Sequence, residues 1–361
     1  MTRSSQLFVL SVTAFASLLG AGSLQGCRDH AQCITCDIGT TPGADGGPGD
    51  AGGPGNADAG PTVPTVTIAQ ITDPTASGFV TGTQVRLSGL VATTIKFEVS
   101  KSSAGECSWG VFLSTPGLTV AAPHSAILTI NNGTPASASD GGPAQCPTLQ
   151  ANQPAGDLFP DDTLPGDVFD IVGFATSVAP SACVASAGAV PNMSTVGQYQ
   201  LNALSAVTRT SRGAAVPAPY VFTAGDAASL SAGQDATFLG EWGGALVTVE
   251  NLMAVEQQGS LVDAYGHLLL SDGLQIGDKL YFVKSVAATD SCYAGPDFAN
   301  TPTFSSISGI VYLDYCTWGI DPLDKCNDFV PPSNDCASVA DAGPGASPAM
   351  VCEHAPVGGT P

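Results

Sequence analysis

The most concentrated set of potentially reactive side chains is acidic. The segment AGDLFPDDTLPGDVFD, residues 155–170, contains Asp157, Asp161, Asp162, Asp167 and Asp170. Carboxylates and backbone carbonyls are the ligands that Ca²⁺ prefers in proteins. The spacing does not match the D-x-[DN]-x-[DN]-G pattern of an EF-hand loop. Two interpretations stay open: a calcium site with Asp161, Asp162 and Asp167 as ligands, and a solvated acidic turn, which is the default. The sequence indicates no other cofactor.

The histidines do not form a recognisable catalytic centre. The chain has four, of which His30 and His354 lie near its ends, while His124 and His267 are isolated within or beside apolar runs. No H-E-x-x-H, G-x-S-x-G, G-x-x-x-x-G-K-[ST] or strand-to-helix G-x-G-x-x-G motif occurs in the sequence. Zinc protease, α/β-hydrolase, P-loop and dinucleotide-binding functions are therefore disfavoured, and the sequence favours a protein that is not an enzyme.

The three tryptophans, Trp109, Trp242 and Trp318, are candidate ligand contacts. Large aromatic faces combine apolar area with a polar N–H, which suits a protein-binding or glycan-binding surface. In the alternative interpretation these side chains fill the ends of a barrel or the contact between two domains.

The N-terminus carries an export signal. An uncharged run, residues 7–22, is followed by Leu24-Gln25-Gly26-Cys27, which resembles the lipobox of bacterial lipoproteins. The resemblance implies a signal peptide over residues 1–26 and a lipid on Cys27 that anchors the protein in a membrane. Arg28 follows the cysteine, and a residue other than Asp at this place implies the outer membrane of a bacterium. An ordinary cleaved signal with an incidental cysteine is the alternative.

Without Cys27, the eleven cysteines of the chain become an even set of ten, which is typical of a disulfide framework in an oxidising compartment. Short sequence separation favours Cys33 with Cys36 and Cys336 with Cys352, and the overall pairing stays open. Cys33 and Cys36 also have the C-x-x-C spacing of redox and zinc sites, but no second pair at zinc spacing follows. The candidates are Cys33, Cys36, Cys107, Cys146, Cys183, Cys292, Cys316, Cys326, Cys336 and Cys352.

Composition divides the chain into a tether, a folded region and a tail. Residues 39–64 consist almost wholly of Gly, Pro, Asp, Ala and Thr, which predicts a disordered tether over 27–64. A flexible chain of this length spans on the order of 30 Å. Residues 332–361 have a similar composition and predict a weakly ordered tail.

Between residues 65 and 331, short apolar runs bounded by Gly, Pro, Asn or Asp recur without helical periodicity, which predicts an all-β fold. Two segments match internally, since Val85–Ala92 and Val247–Ala254 share Val, aliphatic and Ala positions. Ile171-Val-Gly173 and Ile307-Ser-Gly309 match in the same way, and a glycine inside a strand indicates a bulge or a tight bend. We therefore predict two domains, 65–215 with a long insertion and 216–331, although a chance match of common residues is the alternative. The segment PAPYVFTAGDAASLSAGQDATF is predicted to be their connector.

Three phrases carry a family resemblance: TFLGEWGGALVTVENLMAV, LLLSDG and FSSISGIVYLDYCTWGIDPLDKCNDF. They resemble the accessory OB-like domains of secreted bacterial nucleases, which implies two small OB-like β-barrels in tandem. Asp321-Pro322-Leu323 lacks the arginine that follows proline in that group, and no nuclease domain follows these phrases. Because an accessory domain does not bring catalysis with it, the resemblance implies no nuclease activity.

Charge limits the partners. The chain has 31 acidic and 10 basic residues, a formal net charge of −21, so its surface is expected to repel the phosphates of nucleic acid. The sequence favours a lipid-anchored extracytoplasmic binding or structural module that displays disulfide-braced barrels to a protein or glycan partner. The alternative is a metal-assisted phosphoesterase or nuclease-associated protein that acts on extracellular nucleic acid.

Overall fold

The computed structural model of the protein describes eleven stretches of the chain. They are residues 62–101, 106–135, 157–179, 193–256, 261, 267–277, 279–280, 298, 302–314, 316–324 and 326–333. The predicted signal peptide, Cys27, nearly all of the tether and nearly all of the tail lie outside these residues. So do seven of the ten candidate disulfide cysteines: Cys33, Cys36, Cys146, Cys183, Cys292, Cys336 and Cys352.

The described residues are mostly β-strands. The strands are β1 (Gln84–Ala92), β2 (Phe97–Lys101), β3 (Glu106–Ser114), β4 (Ala126–Pro135), β5 (Val168–Val178), β6 (Gln198–Ser211), β7 (Tyr220–Val221), β8 (Leu246–Val255), β9 (Leu268–Leu270), β10 (Gln275–Ile276), β11 (Thr303–Asp314), β12 (Thr317–Asp321) and β13 (Phe329–Val330). The helices are α1 (Ala69–Thr72), α2 (Ala224–Ala232) and α3 (Ala236–Trp242). The predicted all-β class is confirmed at this level.

The strands form two sheets with matching connectivity. Sheet 1 has the order β1-β5-β6-β4-β3-β2, and β1 also pairs with β3, so the pairings return to β1 after five strands. Sheet 2 has the order β13-β11-β12-β10-β9-β8-β7, and β8 also pairs with β11, which gives the same circuit of five strands. Each circuit contains one parallel pair, β4 with β6 and β10 with β12. The predicted boundary at residues 215 and 216 falls between β6 and β7.

The two internally matched segments occupy equivalent places in the two sheets. Val85 of β1 pairs with Gly173 of β5, and Val247 of β8 pairs with Gly309 of β11. Four residues after each valine the backbone is left-handed, with φ of 69° at Gly89 and 58° at Asn251. A chance match of common residues would not reproduce both the pairing register and this backbone conformation, so the segments are structural counterparts.

The two strand glycines mark close approach. The register of β5 against β6 shifts opposite Gly173, where Val172 pairs with Ala206 and Phe174 with Asn202, so the extra residues of the bulge lie in β6 and not at the glycine. A Cβ at Gly309 would lie 2.6 Å from the carbonyl carbon of Asp321, so β11 and β12 can pair only where that residue has no side chain. A turn at Asp272-Gly273 joins β9 to β10, with φ of 86° at Gly273.

The predicted connector contains two helices that the sequence analysis missed. Thr223 and Asp226 form a reciprocal capping box at the start of α2, and Gly233 ends that helix in the left-handed conformation. Asp235 then accepts hydrogen bonds from the first turn of α3. Among the described residues, no helix has both the length and the hydropathy that a membrane span requires.

An apolar cluster, here called the shared cluster, joins the two sheets. Its buried members are Phe97, Phe112, Ala121, Leu128, Leu246, Leu280, Ile310 and Tyr312, drawn from both halves of the described chain. The Phe97 and Phe112 rings stack at 5.6 Å, and the Tyr312 ring meets Phe112 edge-on at 5.5 Å. Each sheet therefore has its own apolar core, and the shared cluster forms a third apolar core between the two sheets.

Candidate functional site

The most unusual charged group lies in sheet 1 and consists of Lys96, Asp157 and Asp161, here called the buried triad. The Lys96 side chain is 1% exposed, that of Asp157 is 0% exposed and that of Asp161 is 6% exposed. Lys96 Nζ lies 2.7 Å from Asp157 Oδ2 and 2.5 Å from Asp161 Oδ1. Charged side chains are almost never this deeply buried unless they are paired, so each member requires the others.

Local chain geometry assembles the buried triad. Lys96 immediately precedes β2, while both aspartates lie on the loop that leads into β5. The Phe159 backbone N–H donates to Asp157 Oδ1 at 2.7 Å, and the Phe159 carbonyl accepts from Lys96 Nζ at 3.0 Å. The loop thus wraps the ammonium group with three oxygen atoms. The Trp109 ring lies 5.3 Å from Nζ on another side, a cation–π distance.

Burial changes the titration of one carboxyl group of the buried triad. Burial raises the pKa of Asp157 above its ordinary value, and the hydrogen bond and charge of Lys96 offset only part of that effect. The site therefore holds an amine, a carboxyl group with an increased tendency to stay neutral, and a second carboxyl group, all within contact of one another.

Asp162 and Asp167 pair with two arginines, Arg209 near the end of β6 and Arg212 just after it. Arg209 Nη2 lies 2.6 Å from Asp162 Oδ1, and Arg209 Nε lies 3.1 Å from Asp167 Oδ2. Arg212 pairs with the same two carboxylates, and its contact with Asp162 raises the pKa of the guanidinium. Burial raises the pKa of Asp167, and Arg212 partly offsets that rise.

Each of the three calcium candidates pairs with a basic side chain of the same chain. Asp161 faces Lys96, while Asp162 and Asp167 face Arg209 and Arg212, so their negative charge is taken up by cations of the chain itself. Within the described residues, no group of three or more His, Cys, Asp or Glu side chains is arranged to hold a metal ion. Asp170 has a different role again, because its Oδ1 accepts the Gly89 N–H at 2.8 Å and fixes the bulge of β1.

The tryptophan hypothesis is corrected, because all three side chains are interior. Trp109, Trp242 and Trp318 are 3%, 6% and 1% exposed, which excludes them as surface contacts. Trp242 packs against the Tyr220 ring at a centroid distance of 4.6 Å, and Trp318 Nε1 donates to the Val196 carbonyl. All three side chains lie in the protein interior.

Sheet 2 carries a small acidic depression that the sequence analysis did not identify. It is lined by Gln275, Gly277, Tyr312, Asp314, Thr317, Gly319, Ile320 and Asp321, and its cavity volume of about 10 Å³ is barely room for one water molecule. Beside it, His267 Nε2 lies 3.4 Å from Asp314 Oδ2. Sites for drug-sized ligands usually exceed about 300 Å³, so this space suits only a very small polar group. The other described histidine, His124, lies elsewhere and hydrogen-bonds Thr72 Oγ1 through Nδ1 at 3.2 Å.

One further carboxylate has a strongly shifted titration. Asp328 Oδ2 accepts the backbone N–H groups of Leu323 and Asp324 at 2.7 and 2.8 Å in the loop between β12 and β13. Burial, with a smaller contribution from the charge of Asp324, raises the pKa of Asp328 to about 6, although the two hydrogen bonds act in the opposite direction. Asp328 therefore changes its charge within an accessible pH range.

The groups described above are mostly buried or paired with one another, and little of their reactive surface faces the solvent. Lys96 and its partners are interior, the arginine pairs close a loop, and the depression in sheet 2 is small. Comparison with family models, with curated proteins and with solved structures finds nothing that matches this chain.

Proposed function

We propose that the protein is a lipid-anchored extracytoplasmic binding or structural module that presents its loops to a protein or glycan partner. In this proposal Cys27 carries the lipid in the bacterial outer membrane, and the Gly- and Pro-rich tether provides reach. The observation that carries the proposal is the shared cluster, because an apolar interior common to both sheets gives a rigid platform that holds two sets of loops in fixed relation.

The circuit of pairings supports an OB-type barrel for each sheet. An OB fold is a small Greek-key barrel of five strands. Both sheets return to their first strand after five members, and both place their single parallel pair at the same step of the circuit. Small barrels of this type bind ligands on loops and on one face, which suits display.

Disulfide bracing is a further part of the proposal. Its support is the even set of ten cysteines that remains without Cys27, together with the export to an oxidising compartment that the N-terminal segment predicts. The pairing among the ten cysteines is left open.

Charge indicates the chemistry of the partner. Three of the described cations, Lys96, Arg209 and Arg212, are engaged by aspartates of the same chain, while the chain as a whole has a formal net charge of −21. We therefore propose a neutral or basic protein surface, or an uncharged glycan, and not a polyanion.

The test is affinity recovery from native envelopes with the tagged full-length protein and a Cys27→Ser form. We expect one reproducible protein or glycan partner in both forms, and membrane association in the lipidated form alone. Recovery of nucleic acid instead, or of nothing above an untagged control, contradicts the binding-module proposal. Equal membrane association of the two forms contradicts the lipid anchor.

The rigid platform has its own test. Replacing Phe112 with Ala removes a fully buried ring from the shared cluster, and we expect a loss of about 3–5 kcal/mol in the free energy of unfolding. The wild-type protein is expected to unfold in urea in one transition that intrinsic fluorescence and circular dichroism report alike. Val221→Ala, at an exposed position, is the control with little expected effect. Two separate transitions in the wild type would show that the sheets do not form one platform.

A further inference from the structure

The buried triad brings together the reactants of an amide-forming reaction. Lys96 Nζ is a primary amine, and it contacts two carboxyl groups in an interior where all three side chains are nearly or wholly inaccessible to solvent. We propose that Lys96 and Asp157 become joined by an intramolecular isopeptide bond, and that Asp161 carries protons during its formation.

Position identifies Asp157 as the carboxyl group that is attacked. Its side chain is completely buried, and the Phe159 N–H holds its Oδ1 while Oδ2 lies 2.7 Å from Lys96 Nζ. The carbonyl carbon is thereby fixed beside the amine. Burial also raises the pKa of Asp157, which favours the neutral acid that a nitrogen nucleophile requires. Asp161 retains 6% exposure, and its Oδ1 lies 2.5 Å from the same nitrogen, which suits a group that accepts a proton.

The reaction balances without an outside reagent. Asp161 accepts a proton from the Lys96 ammonium, and the freed nitrogen lone pair attacks Cγ of protonated Asp157 to form a C–N bond. The tetrahedral adduct transfers a second nitrogen proton, by way of Asp161, to the departing hydroxyl group. The C–O bond then breaks, one water molecule leaves, and the products are a neutral amide and a protonated Asp161.

Fixing the two groups together in an enclosed site lowers the barrier to condensation. In water an amine and a carboxylic acid do not condense appreciably, but fixed groups can reach effective molarities of about 10⁵–10⁸ M. The Trp109 ring and the Phe159 backbone surround the nitrogen, and Phe159 packs edge-on against Phe169 at 5.7 Å. Such an apolar surround disfavours both separated charges and the return of water to the product.

The bond would fasten a vulnerable part of the fold. Among the described strands of sheet 1, β2 pairs only with β3 and therefore lies at the edge of the sheet. Lys96 immediately precedes β2, and Asp157 lies on the loop that enters β5. Edge strands are the places where sheets open or pair wrongly, so a covalent link here would hold the edge of sheet 1 to its interior.

The experiment is peptide mapping of the native protein by mass spectrometry after reduction of all disulfides. We expect a branched peptide that contains both Lys96 and Asp157 and is lighter than the sum of its two chains by one water molecule. A lysine-specific protease is expected to leave the chain intact after Lys96, because the amide removes the charge that the protease recognises. Two linear peptides with cleavage after Lys96 would overturn the proposal, whatever the variants do.

Variants separate the roles of the residues. Lys96→Arg and Asp157→Ala are expected to abolish the branched peptide, and Asp161→Asn is expected to reduce its yield at least tenfold. Asp162→Asn is the matched control, since Asp162 is the next residue along the chain but pairs with Arg209 at the surface. A yield with Asp161→Asn equal to that with Asp162→Asn would overturn the proton-carrying role. Circular dichroism of each variant shows whether it is folded, and the wild-type result decides the bond independently of them.

Discussion

Sheets 1 and 2 have the same circuit of strand pairings and contain the internally matched segments, but their charged side chains are arranged differently. Sheet 1 neutralises a buried lysine with two aspartates from a loop that precedes β5. In sheet 2, Asp314 and Asp321 lie near the two ends of β12. Asp328 accepts hydrogen bonds from the backbone N–H groups of Leu323 and Asp324. We infer that the fold depends on a few backbone conformations that both sheets share, whereas the buried charged side chains differ between the sheets.

The shared backbone requirements are two. One is a glycine at the point where two paired strands approach most closely, which is Gly173 between β5 and β6 and Gly309 between β11 and β12. The other is a residue with left-handed backbone conformation in β1 and in β8. The second requirement is met by Gly89 in one sheet and by Asn251 in the other. Asp170 supports Gly89 with a hydrogen bond, whereas the counterpart of Asp170, just before Ile307, is Ser306.

Substitution of Gly309 and of Gly173 is expected to lower the free energy of unfolding by clearly different amounts. A Cβ at Gly309 would meet the backbone of Asp321 at 2.6 Å, which cannot move without breaking the β11–β12 pairing. At Gly173 the nearest atom is the flexible tip of Leu204, also at 2.6 Å, and the nearest backbone atom is 2.9 Å away. We expect Gly309→Ala to cost about 3 kcal/mol in the free energy of unfolding and Gly173→Ala about 1–2 kcal/mol.

Urea unfolding of the two variants measures this difference. Gly225→Ala in α2 is the control, because a Cβ there meets only Thr223 Oγ1 at an ordinary 3.6 Å and alanine favours helix. Equal losses at Gly309 and Gly173 would contradict the idea that sheet 2 is the less tolerant of the two.

Asp328 gives a pH dependence that belongs to sheet 2 alone. Its folded pKa of about 6 lies above the ordinary value of 3.8, so between these values the folded protein binds a proton that the unfolded chain releases. The free energy of unfolding contributed by Asp328 is therefore full below about pH 4, and it is lost as the pH rises to about 6. We expect this loss to be on the order of 1–3 kcal/mol.

Asp328→Asn keeps an oxygen acceptor for Leu323 and Asp324 but cannot titrate. Urea midpoints of the wild type and this variant are to be compared from about pH 4 to pH 7, because Asp167 also has a raised pKa and contributes a similar slope to both proteins. The difference between the two proteins is expected to shrink or reverse in favour of the variant as pH rises. A difference that stays constant over this range contradicts the assignment.

Much of the fold was predictable because strands leave a local signal. The segments around Val85, Ile171, Val247 and Ile307 alternate or continue in apolar residues between turn residues, and each became a strand of the predicted kind. The helices α2 and α3 were missed because the connector is rich in Ala, Ser and Gly and has no strong apolar face. The Thr223-x-x-Asp226 spacing of the capping box was the available signal.

The site was predictable only in part, because partners far apart in sequence decide what a charged residue does. Asp161 and Asp162 are adjacent, yet one faces Lys96 in the interior and the other faces Arg209 at the end of β6. No local spacing distinguishes them. In the same way Trp318 is buried and donates to the carbonyl of Val196, in the segment that precedes β6, a contact that neither its type nor its neighbours in the sequence reveal.

The smallest expected effect tests the left-handed position that both sheets keep. A Cβ at Gly89 would meet no heavy atom within 4 Å, so a substitution there is opposed by backbone conformation alone. We expect Gly89→Ala to cost about 1 kcal/mol in the free energy of unfolding, and Gly89→Asn less, because asparagine tolerates the left-handed region. In sheet 2, Asn251→Gly is expected to change stability by only a few tenths of a kcal/mol, and Asn251→Ala to cost about 1 kcal/mol. Urea unfolding of all four variants measures these costs, and equal losses for Ala and Asn at position 89 would mean that side-chain contacts, and not the shared backbone conformation, govern the position.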